Sequence, residues 1–167
     1  CVDFRLEAAE QTVKQIEAIG GEAIAYAADV TDEAAVNAMV EACMAAWGRV
    51  DILHNNVGGQ GVGRSLDTIT VEDWNATFAR NVTSTMLTCK AVMPIMEKQQ
   101  DGSIINISSI AALRHLNSNT AVYSSTKGAM IEFTKNIAIQ HAGSGVRANC
   151  VCPGYIDTPF IRRLVNG

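Results

Sequence analysis

Tyr123 and Lys127 stand four residues apart in a stretch that reads as helix, so their side chains share a face. A free tyrosine ionises near pH 10 and is a poor acid–base group at neutral pH. An ammonium fixed beside it favours the phenolate. The phenol can then give a proton to a carbonyl or take one from an alcohol. The same pair also fits a core tyrosine beside a lysine whose stem lies along apolar surface. The spacing alone decides nothing, so the residues around it must.

Ser109 closes an apolar strand fourteen residues before Tyr123. A hydroxyl there can bond the oxygen of a reacting carbonyl, or it can simply cap the strand. Ser108 is adjacent and points the other way if the strand continues, so only one of the two faces a pocket. No G-x-S-x-G surrounds either serine, which argues against a serine hydrolase. Asp3 follows what reads as a strand remnant and precedes the first helix. A carboxylate there can accept hydrogen bonds from the hydroxyls of an adenosine ribose and would repel a 2′-phosphate. Taken alone, it reads equally as an exposed helix-start aspartate.

These residues need elements to hold them. Leu6, Ala9, Val13 and Ile16 repeat at helical spacing up to Gly20-Gly21. Ala23–Ala28 reads as a buried strand. Thr31 is the expected cap of a second helix, whose buried stripe is Val36, Met39, Val40, Cys43 and Trp47. Val50–Leu53 is the next strand, turning through Asn55–Gly59. Thr70 and Asp73 form a capping box opening a long helix towards Met96, with a kink expected at Pro94. Ile104–Ile107 is a strand, Ala121–Ala142 a helix, and Val146–Cys152 a last strand stopped by Pro153-Gly154. Apolar strands alternating with helices imply a parallel sheet covered on both faces, in one α/β domain over residues 1–167. Ligands bind such sheets at the carboxyl ends of the strands. Asp29-Val30, Asn55–Gly59, Ser108-Ser109 and Pro153-Gly154 all fall there.

Composition narrows the partners. Of 167 residues 48 % are apolar and 18 % charged, as in a folded soluble protein. A net charge of −4 offers no basic face to nucleic acid. No apolar run reaches the length of a membrane span. The five cysteines, at 1, 43, 89, 150 and 152, lack a C-x-x-C spacing; they read as small buried hydrophobes in a reducing, cytoplasmic setting, with no metal site.

In this order and spacing the segments resemble the classical short-chain dehydrogenase/reductase family over nearly the whole chain. The resemblance implies a Rossmann-type doubly wound sheet, truncated at both ends, because the glycine-rich loop with its first strand and the last strand with the substrate lid are not among these residues. It implies that Asp29 and Val30 meet an adenine. Asn55-Asn56-Val57-Gly58 is similar to the family's Asn-Asn-Ala-Gly, with Asn55 approaching the cofactor ribose, Asn56 bracing the sheet, and Val57 and Gly58 beside the cofactor. Asn81 falls on the family's helix asparagine, which holds a water linking the lysine to solvent. Asn81, Ser109, Tyr123 and Lys127 make the catalytic set, and Tyr123 and Lys127 also touch the cofactor. Pro153, Gly154, Ile156 and Thr158 resemble the segment over the nicotinamide. Asp3 matches the acidic residue of NAD-preferring members, and Phe4 stands where NADP-preferring members carry a basic residue. The implied activity is hydride transfer between NAD, rather than NADP, and a small alcohol or carbonyl compound, in a homo-oligomer, dimer or tetramer. Val57 and Ala112 depart mildly from the pattern. The Ser109–Tyr123 interval is one residue longer than usual, which keeps Ser108 open as the catalytic serine. The segment from Leu113 to Asn119, with His115 and Asn117, is where substrate contacts are expected. A non-catalytic nucleotide-binding member, or a different Rossmann-like class in which the four side chains lie apart, are the competing readings.

Overall fold

The computed structural model describes residues 1–115 and 119–158; Asn117 lies outside them. The chain forms β1 (Val2–Asp3), α1 (Leu6–Glu17), β2 (Tyr26–Ala27), α2 (Glu33–Trp47), β3 (Ile52–Asn55), α3 (Val71–Phe78), a π-helical segment (Ala79–Thr83), α4 (Ser84–Gln99), β4 (Gly102–Ile107), α5 (Ala121–His141) and β5 (Val146–Val151), with short 3-10 turns after β4 and α5. All strand pairs are parallel. This is the α/β Rossmann-like architecture read from the alternating pattern.

The expected single sheet is instead two, β1–β2 and β3–β4–β5. A cleft of about 800 Å³ separates them, lined by Val2 and Tyr26 on one side and Ile52 and Leu53 on the other. A doubly wound sheet has strand order 3-2-1-4-5-6. With the family's first strand not among these residues, β2 and β1 take places 3 and 2, and β3, β4 and β5 take places 4, 5 and 6. The cleft falls at place 1. Ile52, expected inside a strand buried on both faces, is accordingly 64 % exposed.

Local chemistry corrects several boundaries. Asp32, not Thr31, caps α2, its carboxylate accepting from the Ala35 N–H at 2.7 Å. The Thr31 amide and hydroxyl instead donate to Asp29, at 2.9 and 2.6 Å. Trp47 is not a buried stripe residue; it sits on the last turn of α2 and faces the cleft. The capping box forms as read: the Asp73 N–H donates to Thr70 Oγ1 and the Thr70 N–H to Asp73. The long helix is interrupted at the π-helical segment, while Pro94 lies inside α4. A π turn inserts one extra residue, which re-aims the side chains it carries. Asn81 is the one it buries.

The core lies under β3–β5, where Val92, Met93 and Met96 of α4 and Ile137 of α5 pack on Ile104 and Val146. Gly102 is required at the start of β4, since a Cβ there would meet Met96 Sδ at 2.5 Å. Of the five cysteines only Cys89 is buried; burial pushes its thiol up to about 12. The other four are half-buried because they lie at the cleft or along β5, correcting the expectation for all five.

Candidate active site

The parallel strands bring their carboxyl ends to one rim. Cross-strand register sets Asn55, Asn106 and Cys150 side by side in one row. The Asn55 amide donates to Asn106 Oδ1 at 2.9 Å and its Oδ1 accepts from the Thr88 hydroxyl at 2.8 Å. Asn106 in turn donates to Thr134 at 2.9 Å. Asn55 is therefore the residue that braces the sheet, and Asn56 is the exposed neighbour lining the cleft. The bracing expected of Asn56 thus falls to Asn55. Successive strand residues point to opposite faces, so a one-residue difference reverses the pair.

Gly58 joins two parts of the site. It lines the cleft, together with Asp3, Phe4, Val30 and Val57. A Cβ on Gly58 would also stand 3.2 Å from Asn81 Oδ1 and 3.3 Å from Lys127 Nζ. Asn81 and Lys127 thus both stand against the Gly58 backbone, where an added side chain would press on them. The Asn81 amide is fully engaged: Oδ1 accepts from the Gly59 N–H at 2.9 Å, and Nδ2 donates to the Gly59 carbonyl at 3.0 Å and to Thr126 Oγ1 at 2.9 Å. A water at Asn81 is left the second lone pair of Oδ1 or the main-chain carbonyl, which already takes the Thr85 hydroxyl at 3.0 Å.

Lys127 is buried, and its ammonium lies 5.7 Å from the centre of the Tyr123 ring, within cation–π range. Nζ donates to the Ile107 carbonyl at 2.7 Å. Burial pushes this ammonium down to about 8, with the nearby Cys150 and Cys152 acting in the opposite direction. Ser108 is buried and donates its hydroxyl to the Lys127 carbonyl at 2.7 Å. Ser109 is half-buried; its oxygen accepts from the Ala111 N–H at 3.1 Å, which leaves its own O–H free to donate elsewhere. Tyr123 is half-buried on the first turn of α5.

The remaining candidates sit on the same rim. Asp29 is exposed, and the two hydrogen bonds from Thr31 hold its carboxyl below the usual range. Asp3 ends β1 and accepts from the Arg5 N–H at 2.9 Å, beside an exposed Phe4. The Pro153 carbonyl accepts from the Ile110 N–H at 2.9 Å, tying that segment to the turn after Ser109. Gly154 and Ile156 are exposed and Thr158 half-buried. A second cavity, of about 460 Å³, lies between Arg64–Leu66 and Ala111–His115, against the start of α5. Among the described residues no cluster of three metal-ligating side chains occurs, and no helix is long and apolar enough to cross a membrane.

Sequence reasoning missed Ser108 as the anchor of the lysine backbone, and Thr126, Thr88 and Asn106 as hydrogen-bonding partners. The available signal was a run of hydroxyl and amide residues at helix and strand positions that periodicity assigns to the interior.

This fold and rim define a Rossmann-like α/β protein, and the short chain dehydrogenase family profile matches residues 1–166. The chain belongs to that family. It is 40 % identical over 162 residues to 2-(R)-hydroxypropyl-CoM dehydrogenase of Xanthobacter autotrophicus, an alignment covering 95 % of this chain and 64 % of that protein. The crystal structure of NAD+-bound xylitol dehydrogenase matches with a TM-score of 0.93 at 33 % identity, over 98 % of this chain and 63 % of that one. The structure of ElxO with NADP bound matches with a TM-score of 0.88 at 29 % identity, over 99 % and 66 %. The chain thus spans about 64 % of the length of the first of these relatives.

Proposed function

We propose that the full-length protein is an NAD-dependent oxidoreductase that interconverts a secondary alcohol and a ketone or related carbonyl, with Tyr123 as general acid and base. The observation that carries this reading is the meeting of Asn81 and Lys127 at Gly58, with the Tyr123 ring beside the Lys127 ammonium and the Ser109 O–H free on the neighbouring strand end. The residues present suit a nicotinamide dinucleotide. Gly58 lets the backbone approach closely, and a carboxylate, Asp3, stands at the end of β1. Val30, Val57 and Gly58 would line its path, with Asp29 at the adenine end and Pro153, Gly154, Ile156 and Thr158 closing over the other. The bound cofactor supplies hydride acceptance and donation.

In the oxidative direction Tyr123, as phenolate, would take the hydroxyl proton of the alcohol. Ser109 donates a hydrogen bond to the substrate oxygen and holds it near the phenol. Ser108 does not take this part, because its hydroxyl is already given to the Lys127 carbonyl. Lys127 supplies the positive charge beside the phenolate. Asp3 favours NAD over NADP, because a carboxylate accepts from ribose hydroxyls and repels a phosphate. Free half-buried cysteines suit a cytoplasmic protein, and Met86 on α4 and Ile139 on α5, both exposed, suit subunit pairing through those helices.

Tyr123→Phe in the full-length protein should lower kcat by at least about a hundredfold, in line with the loss of a general acid–base group, while NAD binding by calorimetry stays within about twofold. Near-normal turnover in this variant would sink the proposal.

A further inference from the structure

Thr126 lies inside the Tyr123–Lys127 interval and is fully buried. Its hydroxyl donates to the Tyr123 carbonyl at 2.7 Å and accepts from Asn81 Nδ2 at 2.9 Å. Back-bonding of a helical threonine to the preceding turn is common, and Ser125 and Thr134 of the same helix do it too. The second bond is what matters. The direction of every link is fixed by chemistry. The Gly59 N–H can only donate and its carbonyl can only accept, so Asn81 must turn Oδ1 to the first and Nδ2 to the second. Nδ2 then presents its other hydrogen to Thr126 Oγ1. Having received a hydrogen there, the threonine hydroxyl points its own proton at the Tyr123 carbonyl. A one-way chain runs from Gly59 through Asn81 and Thr126 to the backbone of Tyr123.

We propose that Thr126 is a positioning residue: it locks the helical turn carrying Tyr123 to the π-helical segment carrying Asn81, so that the phenol is held at the strand-end loop rather than drifting with the N-terminus of α5. The inference rests on the acid–base role proposed for Tyr123. It also explains why the π turn matters, since that insertion is what turns Asn81 inward to reach α5. Without Thr126 Oγ1, nothing links Asn81 to this turn among the hydrogen bonds described, and a shift of about 1 Å in a reacting group can cost about a hundredfold in rate.

The fold contains a matched control. Thr134, two turns further along α5, is equally buried, donates to the Met130 carbonyl at 2.6 Å and accepts from Asn106 Nδ2 at 2.9 Å. Thr126→Val and Thr134→Val each remove one hydroxyl and strand one buried amide hydrogen. In the full-length protein, Thr126→Val should lower kcat by roughly tenfold or more with KM for substrate little changed. Thr126→Ser should restore it. Thr134→Val should match the loss in melting temperature and keep wild-type kcat. A readout independent of turnover is the carbon-13 ring resonances of Tyr123, assigned with Tyr123→Phe. They should move in Thr126→Val and not in Thr134→Val. Equal kcat losses in the two valine variants, or an unshifted Tyr123 resonance in Thr126→Val, would overturn the inference. A wild-type protein without dehydrogenase activity but with the Tyr123 resonance shifted in Thr126→Val alone would refute the proposed function and leave the positioning role standing.

Discussion

The two sheets of this protein are built on opposite terms. Around β3–β5, buried amides and hydroxyls are paired with one another: Thr88 with Asn55, Asn55 with Asn106, Asn106 with Thr134, Asn81 with Thr126 and Gly59. Around β1–β2, two residues from each strand pair, and Phe4 stands exposed at the strand end. A buried polar group is costly unless satisfied, so a closed network admits few arrangements. The half proposed to do proton chemistry is the one whose geometry is over-determined. The half proposed to hold the adenosine end carries two carboxylates with only local hydrogen bonds, Asp3 and Asp29.

The paired network around β3–β5 depends most on Asn106. It is fully buried and links β3 to α5. Asn106→Leu removes an acceptor for Asn55 and a donor for Thr134 at once. Leaving buried polar groups unpaired costs about 1–3 kcal/mol each, so a loss of roughly 2–4 kcal/mol is expected by urea denaturation. A loss below about 0.5 kcal/mol, the level of a surface change, would show that the network is not what holds this half.

A smaller effect sharpens the same contrast through pH. Lys127 is charged at its ordinary value of 10.5 when the chain is unfolded, and burial brings it to about 8 in the fold. Below about pH 8 both states carry the proton and the burial penalty is present in full. Between about pH 8 and 10.5 the folded protein has released the proton and the unfolded chain has not, so this group's contribution to stability rises with pH. Lys127→Met lacks the titration. Its stability relative to wild type should therefore decline across that window and stay level below it, measured by denaturation at a series of pH values. Turnover that depends on the ammonium should fall with an alkaline limb near pH 8. In Lys127→Arg, whose guanidinium does not titrate there, the limb from this group should vanish. A wild-type profile flat to pH 10 would remove the charge of Lys127 from the mechanism.

Much of this was legible in the residues, and unevenly so. Helix starts with paired signals, such as Thr70 with Asp73, came out in place because capping is local chemistry. The strands came out within two residues or so, except Ala23–Ala28, which pairs only over Tyr26–Ala27. The division into two sheets did not, because strand adjacency is a long-range fact and none of the described residues fills the place between β1 and β3. At the site, Tyr123 and Lys127 were legible from helical spacing. The bracing by Asn55 rather than Asn56 was not, since which face a strand-end residue presents depends on the register with Asn106 on β4. The choice between Ser108 and Ser109 stayed open for the same reason: the hydroxyl that is already bonded is known only once α5 is packed against β4. The π turn had no signal in periodicity, which tolerates one inserted residue as a change of face.

The smallest structural effect with a functional readout belongs to the open half. Asp3 is half-buried at the end of β1, and its carboxylate accepts one local backbone hydrogen bond from Arg5. Asp3→Asn keeps size and shape and removes the charge. Stability should stay within about 0.5 kcal/mol, as for a surface substitution away from the core. Selectivity should move instead. The repulsion of a 2′-phosphate disappears, and one acceptor for the ribose hydroxyls is weakened, so the ratio of kcat/KM for NAD over NADP should fall by about tenfold, equivalent to about 1.4 kcal/mol. Both cofactors assayed on the same full-length variant give the ratio directly. An unchanged ratio would mean that Asp3 does not face the ribose, and that cofactor choice in this protein is made elsewhere along the cleft.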